Sequence, residues 1–146
     1  MATTDDVIND ALEALGEPPS SGEDDTSLWV VRCSNAYDRE VVKLFESHTW
    51  NFSLRQTLLA EVGDTPDGWL YGFGKPAAHK RIIKVASSAQ STAQSIDYLD
   101  FGGRILTNSE TTWLIDVDGA VIDTPGMWSA LFAGALAATI AWKVCP

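Results

Sequence analysis

Residues 26–62 contain neither glycine nor proline, and within them the hydrophobic period changes from 3.6 to 2. Val30, Cys33, Tyr37, Val41, Leu44 and His48 recur three and four apart, with Phe45 thickening the stripe. That spacing lays them along one face of a long helix. At Trp50 the period becomes two. Trp50, Phe52, Leu54, Leu58 and Ala60 alternate with Asn51, Ser53, Arg55 and Glu61, which is strand patterning. Residues 27–59 are therefore expected to form a helix that runs into a strand as one continuous unit. The remaining elements must pack around it.

A shorter helix is expected over 4–16. Thr3 or Thr4 can cap it, Asp5 and Asp6 sit in its positive first turn, and Gly16 ends it before Pro18-Pro19. Val7, Ile8, Ala11, Leu12 and Leu15 give it a narrow apolar stripe, so it must dock on another element. After the strand at 50–62, the glycines and aspartates of 63–68 predict a turn. Gly72 and Gly74 argue against a regular central strand at 69–73. A helical turn is expected over 77–80, a strand over 81–86 and a polar loop over 87–94. Two hairpins follow: 96–101 with 104–107 around Gly102-Gly103, and 112–117 with 120–122 around Asp118-Gly119. Pro125 is placed to open a closing helix that reaches about residue 144.

The pattern predicts a mainly α fold: a helical bundle of short helix, long helix and Ala-rich closing helix, with an inserted β-rich region of hairpins. In one 146-residue domain, the helical part is 1–50 and 124–146, and the β-rich insertion is 51–123.

Net charge is −10, which argues against a general nucleic-acid binder. The charge is also lopsided. Asp5, Asp6, Asp10, Glu13, Glu17, Glu23, Asp24 and Asp25 all precede the first base, Arg32. Cys33 and Cys145 fit no metal or redox spacing, and no cofactor or metal site is expected. The first ten residues lack a signal-peptide layout, so export is not expected.

Two stretches suggest other chemistry. Asp116-Val-Asp118-Gly119, at the end of an apolar run, resembles the first motif of haloacid-dehalogenase-type phosphatases, with Asp116 as nucleophile and Asp118 as acid/base. Ala120 replaces the usual threonine, and too little chain follows for the rest of that family's site. A turn is the stronger reading. Residues 124–142 carry no charge, so a small single-span membrane protein anchored by the 124–144 helix is a further alternative. Ala and Gly dominate that stretch, and neither end is basic, which favours a buried, closely packed helix. No convincing active site emerges, and no enzyme is expected.

Taken in order, Ala11-Leu-Glu-Ala-Leu-Gly16, Tyr37 and Arg39, His48-Thr-Trp-Asn-Phe52, Gly72-Phe-Gly-Lys-Pro76, Arg81-Ile-Ile, Arg104-Ile-Leu-Thr-Asn108 and the closing Trp128-Ser-Ala-Leu-Phe-Ala-Gly run resemble a known family. That family is the head-to-tail adaptors of tailed bacteriophages, including tail tubular protein A-like proteins. The resemblance implies a structural virion protein at the head–tail junction, present in host cytoplasm during assembly. Such proteins form a ring, typically of about twelve copies, whose repeated contact is heterologous. Its partners would be other copies of itself, the portal protein, the next tail component, and DNA passing through without specific binding; no membrane is implied. Asp6, Asp10, Glu13 and Glu17, opposite the apolar stripe of their helix, would be channel-facing or rim acids. Trp128, Leu131, Phe132, Gly134, Leu136 and Ala138 are the candidates for subunit or helix packing.

Overall fold

A computed structural model describes residues 2–22, 24–63, 65, 66 and 68–146. The chain divides into a helical unit, Met1–Phe52 with Ala120–Pro146, and a β unit, Ser53–Gly119. Helices make up 41% of it and strands 24%, the latter in two antiparallel sheets. The chain is therefore mixed α and β, which corrects the expected mainly helical bundle. The reason lies in pairing. The expected hairpins would have been appendages, whereas seven strands share two sheets and one apolar core.

In the helical unit, α1 (Thr4–Leu15) starts with a capping box in which the Asp6 amide donates to Thr3 Oγ1 and the Thr3 amide to the Asp6 carboxylate. Gly16, at φ 75°, ends it in the left-handed conformation. Helix α2 (Leu28–Ser47) buries Val30, Cys33, Ala36, Glu40, Val41 and Phe45. Ala36 and Glu40 thus join the expected stripe, while His48 is exposed beyond the helix end. The closing helix α3 starts later than Pro125 suggests. Pro125–Met127 is a separate 3-10 turn, and α3 spans Ala130–Val144 with Ser129 as its cap. Between them Trp128 is extended, and its indole donates to the Val121 carbonyl at 2.7 Å. Helix α1 packs on both α2 and α3.

The core of this unit closes on Phe132, which is 0% exposed. Ring centroids of Trp128, Trp50 and Phe52 lie 4.8, 4.9 and 5.2 Å from its own, all edge-on. Trp50 and Phe52 are thus anchors of the helical unit, not the first residues of a strand. A 3-10 turn, Asn51–Ser53, separates them from the sheets.

In the β unit, β1 (Leu54–Leu58), β7 (Trp113–Asp118) and β4 (His79–Ala86) form one sheet in the order β1-β7-β4. The second sheet has the order β2-β3-β6-β5, with β2 Glu61–Val62, β3 Tyr71–Gly74, β5 Tyr98–Phe101 and β6 Arg104–Thr107. Leu59, Phe73, Val85, Ile105 and Leu114, drawn from both sheets and the link between β1 and β2, form their shared core.

Several expectations change here. The strand expected at 50–62 is two strands in different sheets, because the chain switches sheet at Leu59 and Ala60. Leu58 is 53% exposed and Leu59 only 6%, so the alternation runs opposite to the apolar pattern. Residue 79 is already in β4, which leaves no room for a helical turn over 77–80. The β5–β6 hairpin forms around Gly102-Gly103 as expected, with Phe101 opposite Arg104. The hairpin expected around Asp118-Gly119 does not. Strand β7 pairs with β1 and β4 instead, and residues 119–123 form a 3-10 turn.

Strand β3 lies between β2 and β6 despite its glycines. A Cβ on Gly72 would sit 3.1 Å from Thr65 Cγ2 and 3.3 Å from Leu106 Cδ2, so close approach explains that glycine. Of the turn expected at 63–68, Asp64 and Asp67 lie outside the described residues.

Candidate functional site

The four acids singled out on the first helix are spaced four, three and four apart, and they fall along one face of α1 and its continuation. Asp6, Asp10 and Glu13 are exposed; Glu17 lies just past the cap and is half-buried. No base is present on α1. Asp6 also has a structural task, since its carboxylate accepts the Thr3 amide at 2.9 Å. That bond, from side chain first and backbone next, holds the carboxyl below its ordinary range. Asp10 and Glu13 are therefore the cleaner members of the stripe. Glu23 lies outside the described residues.

The six packing candidates separate into two faces of α3. Phe132 and Leu136 are buried, as is Trp128 just before the helix, and all three belong to the unit's own core. Leu131, Gly134 and Ala138 face outward, with Leu131 74% exposed. Trp142, 73% exposed and four residues beyond Ala138, extends the same line. Sequence reading omitted Trp142, although its spacing from Leu131 and Ala138 is helical. The result is an uncharged outward stripe with two large side chains at its ends and small residues between them. Helix α3 is apolar on both faces, which is the pattern of a helix buried on both sides. At 15 residues it spans about 22 Å, short of the ~30 Å hydrocarbon layer. Among the described residues no helix is long and apolar enough to cross a membrane.

The β unit contains the densest polar cluster. Asp116 is fully buried on β7, directly opposite Arg55 in register. Arg55 Nε and Nη2 donate to its two oxygens at 2.9 and 3.0 Å, and His79 Nδ1 lies 2.7 Å from Oδ2. Arg55 also donates to the Ala77 carbonyl at 2.7 Å and lies 3.4 Å from Asp118. The Asp116 hydrogen bonds hold the guanidinium pKa above its usual value, against the cost of burial. Both Asp116 oxygens are thus committed to a fork of donors. A carboxylate so held is a structural ion pair, not a nucleophile poised for phosphate. His79 and Arg55 had no local signal in the sequence: they meet Asp116 from 37 and 61 residues away. Gly119 is needed beside the cluster, because a Cβ there would lie 2.8 Å from Lys80 Cγ and 3.0 Å from the Ala78 carbonyl. Among the described residues no group of three or more His, Cys, Asp or Glu side chains could hold a metal ion.

No protein-family model matches the chain, and no curated protein matches it.

Two outcomes test this chemistry. Asp116→Ala should cost roughly 3 kcal/mol of stability, since it strands a partly buried guanidinium. Asp118→Ala should cost under ~1 kcal/mol. Denaturant midpoints of the two variants decide, and equal values would mean that the buried pair contributes no more than the outer one.

Asp25 provides the acid-side prediction. Amides of Ser21 and Ser27 each donate to its carboxylate at 2.9 Å, and these bonds lower its pKa from 3.8 to about 2. A lowered pKa stabilises the folded loop fully above 3.8 and loses that contribution as pH falls through about 2. The Asp25 carboxyl carbon should titrate near 2 by NMR, and Asp25→Asn should remove the acid-dependent change in the Ser21 and Ser27 amides. A midpoint near 3.8 would show that these bonds are absent in solution.

Proposed function

We propose that this chain is a structural, non-enzymatic virion protein of the head-to-tail adaptor kind. It forms a ring below the portal that joins head to tail and surrounds the DNA channel. The observation that carries this reading is the outward stripe of α3: Leu131, Gly134, Ala138 and Trp142 are apolar, uncharged and exposed. Small residues between large ones let a neighbouring helix approach closely, and exposed apolar surface of this kind marks contact with another protein. A heterologous contact repeated around an axis gives a ring.

The acids of α1 acquire a task in such a ring. A wall carrying Asp10 and Glu13 offers DNA no phosphate partner, and it avoids the counterion-release affinity of a basic wall. DNA then slides without sticking. The resemblance of the sequence to phage adaptors supports the same reading, and the partners it implies are the portal, the next tail component and neighbouring copies.

The purified chain should gain a defined oligomeric mass at high concentration or on mixing with the portal. Leu131→Asp with Trp142→Asp should leave helicity and melting unchanged but abolish that mass by native mass spectrometry. Undiminished assembly of the double variant would remove α3 from the subunit contact. Independently, particles carrying Asp10→Lys and Glu13→Lys should assemble yet eject DNA more slowly at low salt than at high salt. Normal ejection at low salt would place these acids away from the channel.

A further inference from the structure

Two clefts on the helical unit join into one groove. The larger, about 880 Å³, lies between the start of α1, the loop at 20–26 and α2. The smaller, about 350 Å³, continues past α2 to the turn at 122–125. They share Thr4, Tyr37 and Asp38, and the Thr4 and Tyr37 hydroxyls lie 3.3 Å apart at the junction. The floor is apolar, with Ile8, Val30, Val41 and Ile122 among its residues. The rim carries Asp5, Asp25, Asp38 and Asp123. Among the described residues no Lys, Arg or His lines either cleft. Asp38 and Asp123 both act on the Tyr37 phenol, which burial first and these carboxylates next push above its ordinary pKa. An occupant of this groove must therefore be apolar along its centre and basic at its margins.

The same chain carries such a segment. Strand β4 reads His79-Lys-Arg-Ile-Ile-Lys-Val-Ala86 and is an edge of its sheet. Its pairing with β7 slips twice, between His79 and Arg81 and between Ile82 and Lys84. Lys80 and Ile83 are the extra residues at these bulges, and both are exposed. Arg81 is exposed too, Ile83 is 42% exposed, and Lys84 is half-buried. Bulges block an edge from adding a further strand. The edge therefore presents side chains, a ridge of three bases around an exposed isoleucine. Bases are concentrated in this unit: six of the chain's ten lie in the β unit, while twelve of its twenty acids lie in the helical unit.

We infer that the acid-rimmed groove of the helical unit receives the basic edge strand β4 of a second copy of this chain. The contact is heterologous, since groove and strand are different surfaces, so each copy has one of each to offer and the contact repeats from copy to copy. It rests on the ring reading and names a partner surface within it, separate from the α3 stripe.

Charge reversal tests the pairing. One variant carries Asp38→Lys with Asp123→Lys, a second carries Arg81→Glu with Lys84→Glu, and a third combines all four changes. Circular dichroism and melting establish that each is folded. Where a reversal unfolds the chain, Asp38→Asn with Asp123→Asn and Arg81→Gln with Lys84→Gln replace it and should weaken assembly in the same order. By sedimentation at low salt, each one-sided reversal should weaken self-association on the order of a hundredfold, because like charges then face one another. The combined variant should recover most of it, and so should a mixture of the two one-sided variants. Wild-type association of either one-sided variant would overturn this contact and leave the ring reading standing. Loss in both without recovery in the combined variant would also overturn it, since the charges would then not face each other. A wild-type chain that stays monomeric at all concentrations and with the portal would overturn contact and ring together.

Discussion

A buried carboxylate cannot remain ionised inside a sheet unless donors surround it, and Asp116 sets this condition for the whole β unit. Its main partner, Arg55, stands opposite it in register, on the strand that opens the unit, while Asp116 lies near the end of the strand that closes it. The ion pair therefore helps fix the register of β1 on β7. A slip of one residue would turn Arg55 to the other face and leave Asp116 buried without its fork. Because β1 and β7 run antiparallel as neighbours, the two ends of the β unit are held side by side. The chain can leave the helical unit at Phe52 and return at Ala120 with the span between already closed, so the loop-closure cost falls on the sheet.

The same pair explains why the apolar alternation misleads. By pattern, Leu54 and Leu58 should point inward and Arg55 outward. Asp116 reverses this by drawing Arg55 to the core side, and Leu59 follows with the same parity. A long-range partner thus outweighs the local period, as tertiary context commonly outweighs local preference in strands. Elements whose logic is local were legible. The capped α1, the body of α2 and the Gly102-Gly103 hairpin follow from residues within a few positions of each other. What could not be read locally was the placing of β7 between β1 and β4, of β3 between β2 and β6, and the meeting of His79 with Asp116. Those depend on neighbours dozens of residues away.

The candidate surfaces follow the same division. Helical spacing alone places Asp6, Asp10, Glu13 and Glu17 on one line, but only the folded chain shows that Asp6 is already holding a cap. Spacing also runs the α3 candidates together, because a helix apolar on both faces gives no sign of which face its own unit covers. Phe132 decides it. With three aromatic rings edge-on around it, that side is filled, and Leu131 and Trp142 are left facing out.

Charge then limits how such copies can meet. The helical unit carries most of the excess acid, so two helical units approaching side by side repel within the ~8 Å screening length of physiological salt. An uncharged α3 stripe is the surface that suffers least from this repulsion, and its attraction does not weaken as salt rises. A groove-to-strand contact behaves oppositely, strong at low salt and screened at high salt. With both in one interface, salt weakens one attraction while relieving the repulsion, so the net salt response is smaller than that of either term alone. Removing the apolar stripe leaves the charge terms exposed, and assembly should then respond to salt more steeply than in the intact chain.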